Sequence, residues 1–172
     1  MLQTVDFTLE QFITHHLVLK TVGVQDYSLF NGKLGISIAF FEYGKYLKNQ
    51  LYLDFADELI DDFLSKINNR MSYGLSTGLS GIGWGIEYMI QKGFVKCDSN
   101  QVCEDIDNMV MCTDIKRIKD WSLETGIEGI LHYLLARITG SHRQNNPIPF
   151  DSLYLENIYE KLLSIPVTEI SE

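Results

Sequence analysis

Along this chain, runs that are apolar on nearly every side alternate with runs that are apolar on one side and acidic on the others. The first kind spans residues 31–48, 74–92 and 125–139, each opening on glycines. In 31–48, Leu34, Ile36, Ile38, Ala39, Phe40 and Phe41 leave almost no polar face, as expected of a helix buried on most sides. The second kind is clearest in 51–67. There Tyr52, Phe55, Ala56, Leu59, Phe63 and Ile67 line one side, and Asp54, Asp57, Glu58, Asp61 and Asp62 fill the remainder. That spacing predicts an amphipathic outer helix whose acidic first half suits the helix dipole. Residues 7–20, 98 to about 119, and 152–164 read as outer helices too. Thr8 with Gln11 makes a capping box, and Asp98 with Gln101 repeats the signal. Ile106, Met109, Val110 and Ile118 face inward on the third outer helix. Gly93 is placed to close the second buried helix and Gly140 to stop the third. No period-two alternation long enough for a strand occurs. The expectation is an all-α protein of six or seven helices.

The glycines repeat. Gly74, Gly78, Gly81, Gly83 and Gly85 fall within one short stretch, although an interior helical glycine costs about 1 kcal/mol relative to alanine. Gly78, Gly81 and Gly85 share one helical face, open to the close approach of a neighbour. Ser76 and Thr77 are good N-cap types just ahead of it. A G-x-x-G-I core appears at Gly32, Gly78 and Gly126, which sets periods of 46 and 48 residues. A period of that size marks a repeat architecture with room for two helices and two loops per unit. The chain reads as one helical-hairpin repeat domain over 1–165, with repeats at about 7–50, 51–97 and 98–140. A polar loop with two prolines over 141–149 leads to an extra helix at 152–164, and 166–172 forms a tail. Because the last outer helix has no buried partner after it, the expected architecture is a partial ring.

Composition narrows the setting. At 172 residues and 45% hydrophobic content, the length suits one domain with a real core. The formal net charge of −9, with Lys and Arg scattered, argues against nucleic acid as a partner. Three cysteines without a C-x-x-C pair fit reduced thiols, no leader pattern opens the chain, and no apolar run reaches the ~18 residues of a membrane span. A soluble, cytoplasmic protein with no membrane contact is expected.

Asn31-Gly32-Lys33-Leu34-Gly35-Ile36, Thr77-Gly78-Leu79-Ser80-Gly81-Ile82-Gly83-Trp84 and Thr125-Gly126-Ile127-Glu128-Gly129-Ile130 resemble the repeats of lanthionine synthetase C-like (LanC-like) proteins. The resemblance covers about 28–137, and the three motifs are similar to the first three repeats of that family, roughly half of its ring. It implies a half α/α toroid whose inner helices carry the glycine motifs around a cavity. It also implies a link to thioether-forming peptide modification, in which zinc activates a cysteine thiol for addition to dehydrated Ser or Thr. On this resemblance Asn31, Gly32, Gly35, Gly78, Gly81, Trp84, Glu87, Glu124, Gly126, Gly129 and His132 are the cavity- or peptide-facing candidates.

This sequence also departs from the family. The zinc ligands of its active members, in Trp-Cys-x-Gly and Cys-His-Gly motifs, are absent. An acidic residue four positions before the third repeat's first glycine is replaced by Ser122, with Asp120 and Glu124 two residues to either side. Cys103 and Cys112, nine residues apart, point to opposite faces of a helix, and Cys97 precedes it, so no bound metal or other cofactor is expected. Glu42 and Glu87 lie at similar depths in two buried helices and are expected to share one water-filled surface. Catalytic residues are not assigned. The readings of function are a LanC-like protein without a competent zinc cyclase, or a non-enzymatic repeat module that binds a peptide or protein. A homo-oligomer or a missing second half-toroid would cover the open edge, where Phe40, Phe41, Tyr43, Tyr133 and Leu134 are expected to leave apolar surface exposed.

Overall fold

The computed structural model describes residues 8–61, 67 and 70–164. In order, the helices are α1 (Leu9–Gly23), α2 (Lys33–Leu47), α3 (Gln50–Ile60), α4 (Leu79–Gln91), α5 (Ser99–Met111), α6 (Ile127–Arg143) and α7 (Ser152–Leu163). A short 3-10 turn, Ile115–Arg117, sits between α5 and α6, and no strand occurs among the described residues. The expected positions Phe7, Asp62, Phe63 and the tail 166–172 lie outside the described residues.

Outer helices start on side-chain caps. Thr8 and Gln11 form the capping box on α1, Asp98 accepts from the Asn100 amide at α5, and Asn49 and Asp151 do the same for α3 and α7. The glycine-led helices do not use Ser76, Thr77 or any other side chain. Their N-caps are Gly32, Gly78 and Gly126, with φ of −104°, −118° and −106°. That backbone is open to any residue, so glycine is required here for space. A Cβ on Gly78 would overlap the Ser72 carbonyl and lie 2.7 Å from the Gly74 nitrogen, and Gly32 and Gly126 are hemmed in likewise by residues 26–28 and 120–122. The preceding loop folds back over each helix start. Its carbonyls at Asp26, Ser72 and Asp120 accept from the amides of Lys33, Leu79 and Ile127 at 2.8, 2.8 and 3.0 Å. This satisfies one of the free donors of each helix N-terminus.

The three loops are joined to one another. Phe30 N–H donates to the Ser76 carbonyl at 3.1 Å, and Ser76 N–H donates to the Glu124 carbonyl at 3.0 Å. Behind this seam α4 holds the centre, packed on α2, α5 and α6. Leu34 of α2 presses on Gly85, where a Cβ would meet its Cδ2 at 2.7 Å, and the Tyr133 ring of α6 fills the space over Gly83. The glycine strip of α4 therefore serves close helix packing. Phe40 of α2 meets Phe55 of α3 edge-on, centroids 4.9 Å apart, and the Ser37 hydroxyl donates to the Ala56 carbonyl at 2.8 Å.

Several expectations change. α1 runs on to Gly23. α5 ends at Met111, because Asp114 caps a separate 3-10 turn that carries Ile115 and Ile118 into the core. α6 passes straight through Gly140 and ends at Arg143. Gly140 is no stop signal: the Glu87 carboxylate occupies the space its Cβ would take. The aromatics expected at an open edge are covered by the chain itself. Phe40 and Phe41 are 2% exposed, Tyr133 0% and Leu134 4%, and Tyr43 is half-buried. Phe41 stacks on Phe94 at 5.0 Å, and Tyr133 meets Phe150 edge-on.

Candidate functional site

Ten of the thirteen residues of α4 are buried. The three others are Trp84, Tyr88 and Gln91, spaced i, i+4, i+7, so they form one stripe along the helix. Opposite lies a matching stripe of α6: His132, Leu135, Ala136 and Thr139. Between the stripes runs a groove of about 200 Å3 lined by these seven residues. That is below the ~300–1,000 Å3 of a small-molecule pocket, and it suits one or two side chains of an extended ligand. Trp84 stacks on Tyr88, centroids 5.1 Å apart, which gives the groove a flat aromatic wall. The Tyr88 hydroxyl donates to Glu42 at 2.6 Å, and this bond is the main reason its pKa is raised. Lys92 pairs with Glu42 at 3.6 Å, and the Gln91 amide donates to the Ala136 carbonyl at 3.0 Å.

Beneath the groove lies a buried ionic network. Arg137 of α6 is fully enclosed. Its Nη1 donates to Glu87 at 2.7 Å and to Ser99 at 3.0 Å, and its Nη2 to Asp107 at 2.7 Å and to Asn100 at 3.1 Å. Nε donates to Asp107 at 3.1 Å, and the Tyr133 hydroxyl donates to the same carboxylate at 2.5 Å. Burial is the largest single influence and opposes the charge on Arg137, but the Asp107 hydrogen bonds together with the surrounding acidic groups outweigh it and hold the guanidinium above its ordinary pKa. Burial pushes Asp107 up, against the pull of Arg137 and Tyr133. This cluster ties α4, α5 and α6 together and has no free donor on Arg137 to offer a ligand.

The candidates from the sequence therefore separate. Trp84 and His132 come together in the groove. Glu87 does not share a water-filled surface with Glu42; it is 0% exposed on Arg137, while Glu42 takes Tyr88 and Lys92. Gly32, Gly35, Gly78, Gly81, Gly126 and Gly129 seat the loops. Asn31 and Glu124 are exposed on those loops. Tyr88, Gln91, Leu135, Ala136, Thr139 and Arg137 were missed. The i, i+4, i+7 and i, i+3, i+4, i+7 spacings would have found all but Arg137.

Asp120 takes a structural role. Its carboxylate accepts from the Thr125 hydroxyl at 2.6 Å and from the Ser122 amide at 2.8 Å, and these bonds lower its pKa. Such a carboxylate favours the fold above its unfolded pKa, and that favour is lost as pH falls through the lowered folded value. Asp120→Asn is expected to flatten the acid side of the stability–pH curve below about pH 4. Urea unfolding at pH 3 and pH 6 checks this, and an unchanged difference between the two would count against it.

The sequence model of the lanthionine synthetase C-like protein family matches residues 23–165. The chain belongs to this family. No curated protein and no solved structure matches it. The all-helical architecture agrees with the α/α helical-repeat fold of LanC-like proteins. The described residues do not fit the zinc ion of active family members. Among the described residues no three His, Cys, Asp or Glu side chains converge. Cys97, Cys103 and Cys112 are free and differ in burial, and burial pushes the Cys103 thiol up to about 12. No helix among the described residues is long and apolar enough to cross a membrane.

Proposed function

We propose that this LanC-like chain is a peptide-binding module, associated with or derived from thioether-forming peptide modification, that does not itself act as a zinc cyclase. The observation that carries the proposal is the groove between α4 and α6, where two glycine-led helices turn Trp84 and His132 toward the same space. Its form suits a peptide better than a small molecule. The Trp84–Tyr88 pair offers an aromatic surface to an apolar side chain. His132 and Thr139 supply polar groups for the backbone beside it, since the Gln91 amide is already bound to Glu87, Ala136 and Arg143. An aromatic wall with a few polar groups is the usual make-up of a binding hot spot. The three free cysteines suit a reducing compartment, and we place the protein in the cytoplasm.

An arrayed library of short peptides tests the reading. Peptides retained by the wild-type chain should lose about tenfold or more in affinity to Trp84→Ala, a loss on the scale of an aromatic hot spot. Tyr46→Ala, at an exposed position outside the groove, should leave them bound. If no peptide binds in a Trp84-dependent way, the proposal fails.

A further inference from the structure

The three glycine loops obey one contact rule, and the rule leaves two complementary ends. Within each loop the second glycine lies under the carbonyl of a leucine six residues earlier: Gly35 under Leu29, Gly81 under Leu75, Gly129 under Leu123. Between loops, that glycine also meets the leucine of the loop before it. A Cβ on Gly81 would lie 3.2 Å from Leu29 Cβ, and one on Gly129 would lie 2.8 Å from Leu75 Cβ. The backbone follows the same order, each loop donating to the next through Phe30 N–H and Ser76 N–H.

At the third loop no further loop of the series follows among the described residues. Leu123 is 37% exposed, whereas its equivalent Leu75, covered by Gly129, is 6% exposed. Glu124 N–H, the equivalent of Phe30 N–H and Ser76 N–H, reaches no acceptor among the described residues. At the first loop the opposite halves are open. Gly35 has no leucine of a preceding loop beside it, and the Phe30 carbonyl receives no donor among the described residues. Phe30 itself is 48% exposed.

We propose that a second copy of this chain docks head to tail across these ends, with Leu123 seated on the partner copy's first-loop glycine and Glu124 N–H donating to the carbonyl at the partner copy's Phe30 position. The occupant follows from the match. The donor and leucine left open at one end meet the acceptor and glycine left open at the other, in the geometry the chain already uses twice. A contact of this kind is heterologous, so it closes into a ring or runs on as a chain. It does not depend on the peptide groove, which lies farther along α4 and α6.

Sedimentation velocity on the purified chain, from about 1 to about 500 µM, spans contacts from tight to weak. The expected result is concentration-dependent assembly beyond the 19.7 kDa monomer. Leu123→Asp at one end and Phe30→Asp at the other should each weaken assembly by about tenfold or more. Both positions are exposed, so far-UV circular dichroism and melting should match the wild type. A wild-type chain that stays monomeric throughout overturns the proposal and leaves those ends to a partner of different sequence. Assembly that persists unchanged in both variants overturns it as well.

Discussion

Gly81→Ala is expected to destabilise the protein by about 3 kcal/mol, the cost of forcing a methyl group into a packed site without room to relax. Helix propensity alone predicts the opposite. Position 81 lies inside α4, where alanine is favoured over glycine by about 1 kcal/mol. The sign therefore reports whether the loop presses on the helix. A Cβ here would overlap the Leu75 carbonyl, which is backbone and held by the seam of hydrogen bonds on either side, at Phe30 to Ser76 and Ser76 to Glu124. It would also lie 3.2 Å from Leu29 of the neighbouring loop. Gly23, at the end of α1, has nothing within 4 Å of its Cβ position and serves as the control. Gly23→Ala should be neutral or slightly stabilising. Urea unfolding followed by circular dichroism compares the two, and a Gly81→Ala protein as stable as the wild type would refute the clash.

Arg137→Met is expected to cost about 3–5 kcal/mol, the range for breaking a buried ion pair by removing one partner. Methionine fills the volume but leaves the Glu87 and Asp107 carboxylates enclosed at the crossing of three helices. Burial already pushes Asp107 upward, and without the guanidinium that push meets less opposition. A carboxyl whose folded pKa exceeds its unfolded one supports the fold at low pH and weakens it as pH rises through the folded value. The deficit of Arg137→Met should then be smallest near pH 4 and grow toward pH 7. Arg137→Lys should also fail, because a lysine offers three donors from one point while Arg137 uses its planar fork on four residues. Combining Arg137→Met with Glu87→Gln and Asp107→Asn removes the buried charges and should recover a large part of the loss. A single substitution costing under about 1 kcal/mol, the level of an exposed pair, would show that the network is dispensable.

The sequence was most legible where the physics is local. Thr8 with Gln11 and Asp98 announce helix starts, and they cap them in the structure. The apolar run around Ile82, Ile86, Met89 and Ile90 marks a helix with little solvent contact, which α4 is. Where meaning depends on a distant partner, the sequence misleads. Gly140 reads as a terminator, and only Glu87 reaching across from α4 explains a glycine in mid-helix. Glu87 reads as water-facing because an acid in an apolar helix needs company, and its company, Arg137, stands fifty residues away. Ser76 and Thr77 read as caps, yet the backbone of residues 72–74 crowds that helix start. Phe40 and Phe41 read as edge surface because α3 and Phe94, which cover them, lie beyond the helix that carries them. The groove was half legible: Trp84 and His132 were singled out separately, but their meeting depends on how α4 and α6 cross.

The glycine loops also act as a ruler on the chain's length. From leucine to second glycine the count is six at all three loops, since carbonyl and glycine must meet at Leu29 and Gly35, Leu75 and Gly81, Leu123 and Gly129. From one loop to the next the count differs, 46 residues and then 48, although α4, which opens the longer span, has 13 residues against the 15 of α2, so the added residues follow the buried helix. Insertions of a few residues are therefore tolerable in the outer segments, where they lengthen an arc without shifting a contact. Inside the six-residue span, a single added residue would put a side chain where the helix has room only for hydrogen.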